Sequence, residues 1–378
     1  MRTDNLPAAD VKKRNSGIEL LRIIAMFSIV VLHIVGIGGI NNAYPLHSAG
    51  YAAAMLLRSV TFCSVNCYAL ISGYVGCTGR KNAAKHVKSI LNILVQTLFW
   101  SFLIALIFFA CGKTGIKGLA KSLFPLMMHQ YWYSCAYIGL LLLSPLLNFL
   151  LQKLSVRMLR FIEITVITIS VYLTVFFFGD PFGLSSGYST LWLILLYLLG
   201  GCIRLDEGFF RLLKSRAAIK CAVCWGVIWL GTYAAQLITT MIFSTPRYDV
   251  AFLRYVSLPN LLVACVLLAA FSSADFSMPR WSEKAARCTF GVYLIHIHPL
   301  VITFLLNNRF AFFAKTPFFV MFFGVICIAA AIYAVCTLIE YARQLLFGII
   351  KADRAITKTS EAICSLTGKY MRFFEKWM

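Results

Sequence analysis

The stretch Glu19-Leu20-Leu21-Arg22-Ile23-Ile24-Ala25-Met26-Phe27-Ser28-Ile29-Val30-Val31-Leu32-His33 decides how the chain is read. It lies in an apolar run over 17–36, long enough to cross a hydrocarbon core of about 30 Å as a helix. Ionisable groups inside such a span cost about 2.5–3.5 kcal/mol each on insertion scales, so an arginine and a histidine here need a reason. At 3.6 residues per turn, the step from Arg22 to His33 is about three turns plus 20°, which puts both on one face about 16 Å apart. Taken singly, Arg22 reads as a snorkelling anchor with Glu19 as its ion partner. His33 taken singly reads equally as an interhelical hydrogen-bonding group.

Working outward, comparable runs recur over 52–74, 89–111, 131–150, 159–178, 189–203, 218–242, 252–271, 289–306 and 317–341. The chain has 378 residues, 60% hydrophobic and 13% charged, against about 45–50% and about 25% in soluble domains. The pattern predicts an all-α integral membrane protein, a bundle of about ten transmembrane helices. Most of the lysines and arginines fall on the side of the two termini, so both termini are expected in the cytoplasm. A basic arm over 1–16 precedes a membrane domain over 17–345. A basic tail over 346–378 is expected on the anionic inner leaflet. The net charge of +21 follows from this charge asymmetry and calls for no nucleic-acid partner. The segment 112–130 carries Lys113, Lys117 and Lys121 on the expected outer side and reads as interfacial, with Tyr131, Trp132 and Tyr133 as an aromatic belt. The 13 cysteines read as apolar filler, the Cys221/Cys224 pair included, because no second pair or nearby histidine accompanies it.

Two further histidines, His296 and His298, lie at membrane depth before Pro299. On a regular helix they point about 200° apart, so one at most faces a shared cavity unless Pro299 distorts the backbone. A metal site from His33, His296 and His298 matches no known ligand spacing, and no metal is expected. The second span ends in Ser72-Gly73-Tyr74, where small residues permit close helix packing. Arg80, Lys81, Lys85 and Lys88 follow it on the cytoplasmic side. They serve topology, and they also offer a docking place for phosphates.

The chain resembles the acyltransferase 3 family of multi-spanning membrane proteins. Glu19, Arg22 and His33 match its opening motif, Ser72-Gly73-Tyr74 its Ser-Gly run, and Tyr293-Leu294-Ile295-His296 its late Tyr-Leu-x-His. The resemblance covers about residues 15–345. Asn66-Cys67-Tyr68 stands where many members carry Pro and two Phe. The resemblance implies transfer of an acyl group, commonly acetyl, from cytoplasmic acyl-coenzyme A to a hydroxyl of a cell-envelope glycan, in a bacterial-type plasma membrane. Under it, His33 suits the general base, with an ordinary pKa of about 6.5. Tyr293 or His296 is expected to donate to the oxyanion. Arg22, Arg80, Lys81 and Lys85 are expected to meet the donor. The rival from another class is a secondary transporter or flippase for a glycan or small metabolite, which would also place ionisable groups at the midplane.

Overall fold

Asn15 starts the first helix. Its side-chain oxygen accepts the Ile18 N–H at 3.0 Å, and its amide donates to the Ser272 carbonyl at 2.8 Å. The computed structural model describes residues 15–78, 83–176, 179–243 and 251–375, with no strand among the described residues. In chain order the helices are α1 (Ser16–Gly36), α2 (Ile40–Ala43), α3 (Ala49–Thr61), α4 (Ser64–Gly76), α5 (Ala83–Ala110), α6 (Ile116–Ser122), α7 (Trp132–Lys153) and α8 (Val156–Val175). They continue as α9 (Thr190–Leu205), α10 (Glu207–Lys214), α11 (Ala217–Phe243), α12 (Leu258–Ser272), α13 (Arg280–His296), α14 (Pro299–Val301), α15 (Phe318–Ile349) and α16 (Ala352–Glu375).

Among the described residues, seven helical units are long and apolar enough to cross a membrane: Ser16–Ala43, Ala49–Gly76, Ala83–Ala110, Trp132–Lys153, Val156–Val175, Ala217–Phe243 and Phe318–Ile349. An eighth results if Ser282–His296 and Pro299–Lys315, bent by 62°, count as one span. The segments expected over 189–203 and 252–271 fold as α9 and α12, of 16 and 15 residues. Both are held short by local signals. Ser189 caps the start of α9, and Asp206 ends it by accepting the Gly208 and Phe209 N–H groups at 2.8 and 3.2 Å to begin α10. Ser257 and Pro259 start α12. Both helices are largely buried against other helices, so their length is not set by the lipid.

α1 is central, packed against α3, α4, α12, α13 and α15. It runs parallel to α13: the Met278 N–H donates to Ser16 Oγ at 3.4 Å at one end, and His33 meets His296 at the other. α4 crosses α9 at backbone contact. A Cβ on Gly73 would lie 1.9 Å from the Tyr197 carbonyl oxygen, and one on Gly200 would lie 2.1 Å from that of Leu70. Neither neighbour is a side chain that can swing away, so the crossing requires glycine on both helices. Gly200→Ala should therefore destabilise the protein by about 1–3 kcal/mol through overpacking. A lowered unfolding temperature in detergent is the expected result; an unchanged one would show that the helices separate freely.

The α13–α14 bend has a local cause. α13 ends at His296, and Pro299 has no N–H to continue it. His298 caps the next turn, its Nδ1 accepting the Leu300 N–H at 3.1 Å while its Nε2 lies 3.3 Å from the Ser101 carbonyl. The aromatic belt expected at Tyr131–Tyr133 is not formed. Tyr131 is 1% exposed, and Trp132 and Tyr133 line an internal cavity. The reason is that the rings at the start of α7 meet other aromatic side chains: Tyr131 and Tyr133 lie 6.2 and 6.0 Å from the Tyr293 ring, and Trp132 lies 4.6 Å from Tyr188. α6 supplies a short helix within 112–130. α16 folds back along α5, with Lys88 and Asp353 paired at 2.8 Å.

Candidate active site

His33 and His296 come together from the two parallel helices, His33 Nδ1 lying 3.0 Å from His296 Nε2. The other ring nitrogen of His296, Nδ1, is 2.6 Å from the Val292 carbonyl oxygen. A carbonyl only accepts, so in the neutral ring His296 Nδ1 carries the hydrogen and Nε2 presents a lone pair. His33 Nδ1 then donates to it. That leaves His33 Nε2 unprotonated, with its lone pair free. A backbone carbonyl thus sets the tautomers of two rings in series, as an orienting carboxylate does for a catalytic histidine.

His33 lines a cavity of about 370 Å³; His296 is 2% exposed and stands behind it. Tyr68, Trp132, Tyr133, Tyr137, Tyr255 and Tyr293 give the chamber an aromatic wall. The hydroxyls of Tyr133 and Tyr293 are buried without a hydrogen-bond partner. Each is a donor beside His33's chamber that a bound substrate could satisfy. Of the two oxyanion candidates, Tyr293 therefore borders the chamber with a free donor, whereas both nitrogens of His296 are engaged.

Arg22 lies on the same wall. Its Nη1 is 2.6 Å from Glu19 Oε1, with Glu19 only 4% exposed, and its backbone carbonyl accepts from the Tyr68 hydroxyl at 2.6 Å. Arg22, Ser72 and Tyr137 also border a second cavity of about 580 Å³, which extends along α4, α5, α7 and α9. Ser72 Oγ and Tyr137 Oη are 3.0 Å apart where the two cavities meet. Lys85 is exposed on the first turn of α5, beside Ala83, His86 and Val87 of the second cavity. Arg80 and Lys81 lie outside the described residues.

His298, with a bonding partner at each ring nitrogen, belongs to the bend and not to the cavity. Among the described residues no three His, Cys, Asp or Glu side chains are grouped to hold a metal ion. Tyr68, Tyr133, Tyr137 and Arg287 line the first cavity, a place the sequence reading gave to none of them. The signal for the tyrosines was their clustering near the Ser72 and Tyr131 stretches; Arg287 was hidden among topological cations.

The fold and site together define a multi-pass membrane protein with a histidine pair at a cavity among its helices. The chain belongs to the acyltransferase 3 family: the family's acyltransferase domain matches residues 15–340, nearly the whole chain. It is accordingly an acyltransferase. No curated protein and no solved structure matches it.

Proposed function

We propose that this protein is a membrane-bound O-acyltransferase that moves an acyl group, acetyl in the simplest case, from cytoplasmic acyl-coenzyme A to a hydroxyl of a cell-envelope glycan. The observation that carries the reading is the Val292–His296–His33 chain ending in a free nitrogen at the cavity wall. A hydroxyl is a weak nucleophile near neutral pH. His33 Nε2 takes its proton as the oxygen attacks the thioester carbonyl. The negative charge that forms on the carbonyl oxygen is met by the Tyr293 hydroxyl, with Tyr133 as the second donor. Collapse of the tetrahedral intermediate breaks the C–S bond, and the imidazolium of His33 returns its proton to the departing thiolate. His296 holds the His33 ring and touches no reacting atom.

The donor enters from the cytoplasmic side through the second cavity, past Lys85, and Arg80 and Lys81 add positive charge just before it in the sequence. Arg22, braced by Glu19, stands where that route meets the chamber. The aromatic wall gives a sugar ring apolar faces to lie against, with hydroxyl groups at its edges. In this reading the short α9 and α12 complete a ten-segment bundle with both termini in the cytoplasm of a bacterial-type cell. Residues 17–345 form the catalytic membrane domain between basic arms over 1–16 and 346–378.

Membranes containing the protein, incubated with radiolabelled acetyl-coenzyme A and envelope extract, should place label in base-labile ester products. If no label is transferred from acetyl- or longer acyl-coenzyme A, the reading fails and flux of an unmodified glycan becomes the activity to measure.

A further inference from the structure

Two arginines line the chamber that holds His33, Arg22 on α1 and Arg287 on α13. They stand at similar depth. α1 and α13 begin side by side, as the Met278–Ser16 contact shows, and each arginine lies about two turns into its helix. Their electrostatic situations differ. Arg22 is held by the buried carboxylate of Glu19 at 2.6 Å, which offsets its charge. Arg287 is exposed and forms no hydrogen bond or ion pair with any described residue, not even with Glu283 one turn earlier. Lys284, on the same turn of α13, is engaged elsewhere, its Nζ 5.7 Å from the centre of the Tyr341 ring.

We propose that Arg287 binds a phosphate group of the coenzyme A donor at the mouth of the chamber. The inference rests on the acyl-coenzyme A reading above and adds a residue to it. Coenzyme A carries its thioester at the end of a long arm, away from its phosphates. A site for it needs an anion-binding group well separated from the reacting centre. Along α13, Arg287 precedes His296 by about 13.5 Å of helix axis. Its guanidinium presents a planar fork that matches phosphate oxygens. A cation retained only for topology has no reason to border the reaction cavity. An arginine with a carboxylate partner already in place would be a weaker anion site than one whose donors are free.

Coenzyme A binding to the purified full chain in detergent, by isothermal titration, tests this. Arg287→Gln should weaken binding about tenfold or more, as expected for loss of a charge-assisted contact, and Arg287→Lys should restore part of it. Lys284→Gln removes the same charge from the same turn and should stay within about twofold of wild type, since its contact is with Tyr341. Equal affinity of wild type and Arg287→Gln overturns the proposal, as does an equal loss in Lys284→Gln, which would mean diffuse charge attraction. Failure of the wild-type protein to bind coenzyme A overturns the donor reading itself. A wild type that binds beside an unaffected Arg287→Gln strikes only at Arg287.

Discussion

His33→Ala should lower acyl transfer by about 10²–10⁴-fold, the usual contribution of a positioned general base, while leaving the amount of protein in the membrane near wild type. The expectation follows from the direction of the hydrogen bonds. Val292 fixes the hydrogen on His296 Nδ1, His296 Nε2 accepts from His33 Nδ1, and the basic lone pair is left at the cavity. His296→Ala removes the orienting ring but keeps the base, so its loss should be smaller. Because the base must be unprotonated to act, the wild-type rate should rise with pH as His33 loses its proton, and this limb should be missing from the residual rate of His33→Ala. Label transfer from radiolabelled acetyl-coenzyme A, measured across pH in matched membranes, reads all three. A His33→Ala protein with wild-type rate and pH profile would remove the histidine from the chemistry.

Much of this arrangement could be read along the chain, and the reason is periodicity. Arg22 and His33 fall on one helical face by arithmetic, and both line the same cavity. The meeting of His33 with His296 is a different kind of fact. It depends on α1 and α13 being parallel and in register, which a pattern within one helix cannot encode. Its partner His298 illustrates the limit again. The regular-helix argument placed it about 200° from His296, but the helix stops between them, and His298 becomes a cap with both nitrogens engaged. Tyr131, Trp132 and Tyr133 have the composition of an interfacial belt, and only tertiary ring contacts, of Tyr131 and Tyr133 with Tyr293 and of Trp132 with Tyr188 and Tyr255, turn them inward. For α12, hydropathy registered apolar character but not length, because the helix begins only after Ser257, whereas α9 keeps nearly the bounds of its apolar run and ends at Asp206.

Glu340 was not legible as a determinant of the fold, since it lies beside the cytoplasmic end assigned to the last span, yet its replacement should have the largest effect on stability. Its carboxylate is 0% exposed. It accepts from Trp100 Nε1 at 2.8 Å, from Gln344 Nε2 at 3.0 Å, and from Arg343, whose Nη2 is 2.6 Å from Oε1. The Arg343 side chain is only 10% exposed. Glu340→Ala therefore strands a buried guanidinium and two neutral donors, and should cost about 3–5 kcal/mol, the range for breaking one side of a buried ion pair. The damage should reach the site. Gly291 of α13 packs directly on Glu340, a Cβ there falling 2.3 Å from Oε2, and α13 carries His296 little more than a turn further on. Replacing both partners by leucine removes the charge together with its desolvation cost, so Glu340→Leu with Arg343→Leu should recover much of the stability lost by Glu340→Ala. Unfolding temperatures in detergent, with label transfer measured on the same preparations, test the argument. If Glu340→Ala unfolds at the wild-type temperature, Arg343 has found another partner or water and the carboxylate does not hold α5, α13 and α15 together. If it unfolds early and the double replacement restores both stability and transfer, the network's contribution is to fix α13, and through it the orientation of the histidine pair.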